Sequence, residues 1–343
     1  MTLPNTVESV EQLEELLSDP SPGVVETLGR LEGDVIVLGA AGKMGPSLSR
    51  MARLASDAAS VSRRVIAVSR FSSEGVAAQL RDAGVETIRC DLLDVDALMA
   101  LPDAPNVVYM AGRKFGSTGN EPLTWAMNTH LPSLVARRYR ASRIAVFSTC
   151  VYGMTPVSGG GPVETDPLHA EGEYYASCLG RERIFEYFSN ELSIDMTFIR
   201  LSYANELRYG VLSDLARKIL AGEPIDVTMG HAHIIWQGDA NAMALQTLDH
   251  AASPPRPFNV TGPELLSVRR AAESLGRIID RPVSFTGAEA DDALLCDAAQ
   301  ANRLFGPPRV DTDRMLRWVA DWVQRGGESL GKPTHYEVRD GKF

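Results

Sequence analysis

A doubly wound, parallel α/β sheet is the fold class this sequence predicts, on three observations. The first is a buried apolar run, Asp34-Val35-Ile36-Val37-Leu38, feeding straight into Gly39-Ala40-Ala41-Gly42-Lys43-Met44-Gly45. The second is recurrence. Strand-like runs at Val65 to Ser69, Thr87 to Cys90, Val107 to Met110, Ile144 to Ser148 and Met196 to Leu201 alternate with segments of helical periodicity. Strands separated by helices pair in parallel, because each crossover helix covers a face of the sheet. The third is size: 343 residues, 44% of them hydrophobic, suffice for one such sheet and a smaller lobe.

Taken in chain order, residues 1–33 read as an N-terminal helical extension. Thr6 is placed to cap a helix through Glu8 to Leu17, with Val7, Val10, Leu13, Leu16 and Leu17 along one side. Ser18-Asp19-Pro20-Ser21-Pro22-Gly23 breaks that helix, and Val24 to Leu31 forms a second short one. The extension carries no evident chemistry; packing within the chain and homodimerisation both stay open. Residues 34–201, with return segments near 234–262, make the sheet domain, and 202–233 with 263–343 make a smaller C-terminal substrate lobe. Met154 to Gly172, which contains Ser158-Gly159-Gly160-Gly161-Pro162, reads as a long mobile loop beside the site.

The glycine spacing suits a nucleotide. Gly39 permits the tight turn out of the strand, Gly42 lets backbone amides approach a pyrophosphate, and Gly45 lets the following helix pack close to the sheet. Phosphates then sit on that helix's N-terminus. Met44, Leu48, Met51, Ala52 and Ala55 have helical spacing, and Pro46 falls in the first turn, where the lost N–H costs little. A glycine triplet alone also fits an ordinary strand-turn-helix corner. The end of the second strand offers Ser69 and Arg70, and no acid until Glu74. A guanidinium there grips a 2'-phosphate bidentately, and Lys43 adds a second positive charge. NADP(H) is therefore expected ahead of NAD(H), which is not excluded.

A net charge of −10 with no dense basic run argues against nucleic acid and against an anionic membrane surface. Arg137, Arg138, Arg140 and Arg143 fall where a helix ends, so they complement its dipole. No membrane span is read. Met1 to Val10 lacks the basic and apolar regions of a signal peptide, so the cytoplasm is the expected compartment. Four cysteines without a C-x-x-C pair fit reduced, buried thiols. His231 and His233 would share a strand face, yet no cysteine or carboxylate cluster completes a ligand set, and no metal is expected.

Ser148-Thr149-Cys150-Val151-Tyr152-Gly153, after a buried strand, resembles the serine-bearing motif of the extended short-chain dehydrogenase/reductases, the NAD(P)-dependent epimerase/dehydratase branch. Other segments match in order: the Gly-x-x-Gly-x-x-Gly turn, Cys90-Asp91-Leu92, Tyr109-Met110-Ala111-Gly112, Asn128 within Trp125 to Thr129, Trp236 to Ala240, and Phe258 to Gly262. The resemblance implies a Rossmann-like sheet with cofactor contacts from Gly39, Gly42, Lys43, Met44, Gly45, Arg70, Asp91 (facing adenine), Leu92, Ala111, Gly112 and Asn128. It also implies that Ser148 polarises a carbonyl and that Tyr174 transfers a proton. The family pairs this tyrosine with a lysine four residues on, which lowers its pKa and holds the nicotinamide ribose. Here Ser177, Leu179 and Glu182 align with the family pattern and put Cys178 at the lysine position. A neutral thiol cannot stabilise a phenolate by charge. Lys114, on the loop after the fourth strand, is an alternative cation, although a solvated loop position is the more common place for such a lysine. A neutral Tyr174 is also the right form for a proton donor in carbonyl reduction.

Thr149 and Cys150 stand where nucleotide-sugar dehydratases carry acidic residues, and Ile199 to Asn205 lacks the Phe-Asn-x-x-Gly-Pro run of the epimerases. The resemblance therefore points to a smaller carbohydrate, lactone or hydroxy-acid derivative, with Thr149, Tyr203, Asn205 and Arg208 expected to line its pocket. Two readings stand. One is an oxidoreductase or epimerase; the other is a catalytically impaired NAD(P)-binding protein with a sensing or regulatory role. The closing Lys332-Pro333-Thr334-His335-Tyr336 has no assigned role.

Overall fold

The predicted alternation becomes a seven-stranded, all-parallel sheet in the computed structural model, which describes residues 3–114, 116 and 118–341. Met1, Thr2, Phe115, Ser117, Lys342 and Phe343 lie outside the described residues, and with them the ends of the predicted extension and of the closing segment. The strands are β1 (Val35–Leu38), β2 (Val65–Ser69), β3 (Glu86–Arg89), β4 (Asn106–Tyr109), β5 (Arg143–Thr149), β6 (Met196–Leu201) and β7 (Arg256–Val260). Their spatial order is β7-β6-β5-β4-β1-β2-β3, so the winding reverses between β1 and β4. In register, Val35 lies beside Val65 on one flank and Asn106 on the other. A crevice opens at the carboxyl ends of the strands at such a switch point.

Both faces of the sheet are covered, which is why its central strands read as unbroken apolar runs. Val35 and Val37 point to one layer, where they join Leu48, Met51 and Ala55 of helix Gly45–Ala58. Ile36 and Leu38 point to the other, with Leu131 and Val135 of helix Leu131–Arg138 and Phe185 of helix Gly172–Leu192. A third core lies in the smaller lobe, where helices Val211–Ala221, Val268–Ile279 and Thr312–Gln324 converge and Trp236 meets Trp318 edge to face at 5.4 Å.

The N-terminal extension is spent within the chain. Its first helix, Val10–Ser18, buries Leu13, Leu16 and Leu17 in the lobe core, while the second, Pro22–Arg30, buries Val24 and Leu28 against the sheet layer. Thr6 is not the cap. Ser9 accepts from the Gln12 amide at 3.2 Å, and the Thr6 hydroxyl instead donates to Glu8. Ser21 caps the second helix.

Met154 to Gly172 is held down at several points, contrary to the expectation of a mobile loop. Met154–Pro156 pairs antiparallel with Asp292–Leu294, the Glu164 carbonyl accepts from Arg200, and the Glu164 carboxylate accepts from the Asn259 amide at 2.9 Å. The anchor is a buried network in which Arg200 pairs with Glu182 at 2.8 Å and donates to Tyr152. Among the described residues no helix is long and apolar enough to cross a membrane.

Candidate active site

Two cavities meet at the carboxyl edge of the sheet, and Lys114 lines both. The first, about 390 Å³, is walled by Gly39 and Gly42 after β1, Ser69 to Ser72 after β2, Cys90 to Leu92 after β3, and Met110 to Lys114 after β4. Its floor requires glycine. Gly39 sits at φ +88°, where a Cβ would lie 2.6 Å from the Ala111 amide nitrogen. Gly45 leaves no room for a side chain against the Ala40 backbone. The first turn of helix Gly45–Ala58 has no side-chain cap, so its N–H groups are not taken up by one. Among the described residues, Arg70, Arg113, Lys114 and Lys332 border this cleft against a single carboxylate, Asp91. Glycine floor and cationic rim together fit the polyanionic backbone of a dinucleotide.

The second cavity, about 190 Å³, is lined by Ser148 and Thr149 from the end of β5, Tyr174 and Tyr175 from helix Gly172–Leu192, and Tyr203 and Tyr209 beyond β6. Ser148 is 8% exposed and its hydroxyl has no hydrogen-bond partner among the described residues. A buried hydroxyl left unpaired costs free energy unless a ligand completes it. Tyr203 carries φ +27°, a strained setting for a residue with a side chain, of the kind found where a wall must face a ligand.

Tyr174 and Cys178 lie one helical turn apart on the same helix, close enough that each influences the other's titration. Burial holds the Tyr174 phenol well above its usual range, the thiol adds to that rise, and Arg181 opposes it. Arg181 completes an i, i+4, i+7 face with these two residues. It is buried, donating to the Phe147 carbonyl and to Asn128 Oδ1, both at 2.8 Å. Gly112 makes room for it, since a Cβ there would stand 2.5 Å from the guanidinium. Arg181 was not legible from the motif alone; counting the helix face one turn past Cys178 would have found it. Lys114 donates to the Thr334 carbonyl at 3.1 Å, and burial pushes its pKa down to about 8, with Cys178 opposing the fall.

Five site residues expected from the sequence are placed elsewhere by the structure. Lys43 does not border the nucleotide cleft: it turns into the second cavity, donating to the Ala204 carbonyl at 2.6 Å with its ammonium 4.3 Å over the Tyr209 ring, and Met44 follows it. Asn128 does not reach the cleft. It lies fully buried in a π-helical turn, Ala126–His130, and its amide clamps the Arg113 backbone to Ser177 and Arg181. Asn205 is not a pocket residue, because its amide is consumed by the Tyr203 carbonyl and the Leu212 N–H. Arg208 is drawn away by Glu206 at 3.1 Å and Glu14 at 2.6 Å, and so fastens the extension to the lobe. Ser148, Thr149, Tyr174 and Tyr203 do converge on the pocket, while Gly39, Gly42, Arg70, Asp91, Leu92, Ala111 and Gly112 converge on the cleft.

The closing segment, opaque in sequence, walls the junction of the two cavities. Lys332 borders the cleft and Thr334 the pocket; the Thr334 amide and hydroxyl donate to Asp214 at 2.8 and 2.6 Å, and Tyr336 is buried. All four cysteines are free and buried, with the Cys150 and Cys296 sulfurs 2.8 Å apart beside the pocket. His231 and His233 fall on a short strand paired with Leu265–Ser267.

A parallel sheet wound both ways from a glycine turn, with a cleft at its switch point, defines a Rossmann-fold protein of the NAD(P)-binding type. More particularly, the chain belongs to the NAD dependent epimerase/dehydratase family, whose model matches residues 35–260. Solved structures of like fold include Pal from Bacillus thuringiensis (16% identity, 85% of this chain and 99% of that one, TM-score 0.70). The UDP-glucose 4-epimerase of Thermotoga maritima with UDP-glucose matches equally (16%, 85% and 99%, 0.70), as does the UDP-glucuronic acid 4-epimerase of Bacillus cereus in complex with NAD (18%, 85% and 99%, 0.69). At these identities the likeness is one of fold. No curated protein matches the chain.

Proposed function

We propose that the chain is an NAD(P)-dependent oxidoreductase or epimerase of the extended short-chain type, acting on a small carbohydrate or hydroxy-acid derivative. One observation carries the reading: the unpartnered Ser148 hydroxyl and Tyr174 line a single pocket that shares Lys114 with the glycine-floored cleft. Gly39, Gly42, Ala111 and Gly112 would hold the dinucleotide, with Arg70 at the cleft's rim to favour a 2'-phosphate. A bound nicotinamide supplies or accepts the hydride. Ser148 donates a hydrogen bond to the reacting oxygen and Tyr174 holds the proton. Since burial raises the Tyr174 pKa, the phenol stays neutral at physiological pH and acts as the acid, which favours carbonyl reduction. Arg181, fixed on the same helix face, limits that rise in place of the family's lysine. The confined pocket and the Thr334 wall support a substrate smaller than the nucleotide sugars of the solved relatives.

Steady-state reduction of a panel of small keto sugars and keto acids with NADPH and NADH tests this. Tyr174→Phe should cut turnover by about 10²-fold or more, the scale of losing a general acid, while cofactor affinity in a fluorescence titration holds. Near-parental turnover in Tyr174→Phe would remove the tyrosine from the chemistry.

A further inference from the structure

Among the described residues, the pocket that faces Ser148 and Tyr174 is lined by two lysines, Lys43 and Lys114, and by not one carboxylate. We propose that this pocket takes an anionic substrate, a carboxylate-bearing polyol such as a sugar acid, with Lys43 of the glycine turn gripping the carboxylate. The inference deepens the oxidoreductase reading and rests on it for the identity of the pocket.

Lys43 belongs to the turn that, by its spacing, serves phosphates, yet its ammonium leaves that cleft for the substrate side. Its partners there are a carbonyl, Ala204 at 2.6 Å, and the Tyr209 ring. A carbonyl and a π-face orient an ammonium without neutralising it. The charged groups around it come from three other elements. Glu206 and Arg208 lie on the segment beyond β6, Asp214 on helix Val211–Ala221, and Lys114 on the loop after β4. Both carboxylates are engaged elsewhere, Glu206 by Arg208 at 3.1 Å and Asp214 by the Thr334 amide and hydroxyl. Arg208 and Lys114 repel Lys43 while Glu206 and Asp214 attract it, and none of them pairs with its ammonium directly. The described lining of the cavity itself thus carries cations and no anion, in a chain whose net charge is −10, while the carboxylates Glu206, Asp214 and Glu337 stand behind that lining. Tyr203 and Tyr209 add hydroxyl-bearing walls suited to a polyol.

Burial pushes the Lys43 pKa down to about 7. A carboxylate docking on it favours the charged form, so binding above that pH should draw a proton from solvent. A neutral sugar has no such effect, and this makes the linkage a signature of the contact.

The test is calorimetric titration of the NADP-loaded protein with D-glucuronate, D-galacturonate and D-gluconate against D-glucose and D-galactose. Runs at about pH 8.5 in two buffers of different ionisation enthalpy read the proton uptake. At least one acid should bind about tenfold or more tightly than its neutral partner, the scale of one charge-assisted contact, with uptake of up to one proton. Lys43→Met should bring the pair within about threefold and cut the uptake to the smaller share that Lys114 supplies, while Lys43→Arg keeps the preference with the same reduced uptake. Cofactor titration of each variant checks that the glycine turn is intact. Equal affinity for acid and neutral sugar, absence of binding by all three acids, or a preference that survives Lys43→Met would overturn the proposal. Acid binding without turnover would count against the oxidoreductase reading alone.

Discussion

Cys178 stands where the family keeps a lysine, and its surroundings explain why a lysine would now be unwelcome. The thiol is 1% exposed and already influenced by Tyr174, Arg181 and Lys114. An ammonium in its place would be a third cation in one buried cluster, where the neighbouring carboxylate, Glu182, is already paired with Arg200 at 2.8 Å. Cys178→Lys should therefore lower stability by at least about 2 kcal/mol without raising turnover. Thermal unfolding beside kinetics reads this directly, and a gain in turnover would show that the site has decayed rather than been rebuilt. Arg70 bears on the cofactor instead. If it holds a 2'-phosphate, Arg70→Ala should weaken NADPH binding by roughly 1.5 to 3 kcal/mol and leave NADH nearly unchanged. Equal losses for both would place the phosphate elsewhere.

Elements were more legible than contacts, for a physical reason. β2 and β6 have the bounds their apolar runs predict, and β1 leads into the glycine turn as expected, because burial on both faces writes itself into every residue of a central strand. Side-chain destinations depend on competitors that a one-dimensional pattern does not place. Arg208 has the right address for a pocket, but Glu14, nearly two hundred positions away, captures it. Lys43 has the right address for a phosphate, but the Ala204 carbonyl and the Tyr209 ring lie on the other side of its turn. Asn128 illustrates the same limit within one helix. A π-helical turn shifts its facing and spends all its hydrogen-bonding capacity on the Arg113 loop, Ser177 and Arg181. Ser148 and Tyr174 were legible because their motifs fix them to a strand end and a helix start, which the sheet then brings together.

At the scale of the whole molecule, the extension, the sheet domain and the lobe are joined by one guanidinium. Arg309 donates to Asp239 at 3.2 Å, to the Asp19 carboxylate at 3.0 Å and to the Asp19 carbonyl at 2.9 Å, and the next amide, Val310, also donates to Asp239. Asp239 lies on helix Gln237–Gln246, behind the nucleotide-binding layer, and Asp19 closes the first helix of the extension. Burial raises the Asp239 pKa, while the Val310 amide and Arg309 counter that rise. Arg309→Met removes the cation and leaves the Asp239 carboxylate buried with a single backbone donor. The expected cost at neutral pH is roughly 1 to 3 kcal/mol, below that of a fully buried pair because Arg309 itself is 30% exposed. The pH dependence follows from the sign of the shift. With its folded pKa above the unfolded one, Asp239 binds more protons in the native state, so stability falls as pH rises through the window between them. Losing Arg309 lifts the folded pKa further and widens that window. The deficit of the variant relative to the parent, measured by denaturant unfolding at matched pH, should therefore be largest at neutral pH and shrink on acidification as Asp239 takes up its proton. A deficit independent of pH would mean that Arg309 acts through packing and not through the Asp239 charge.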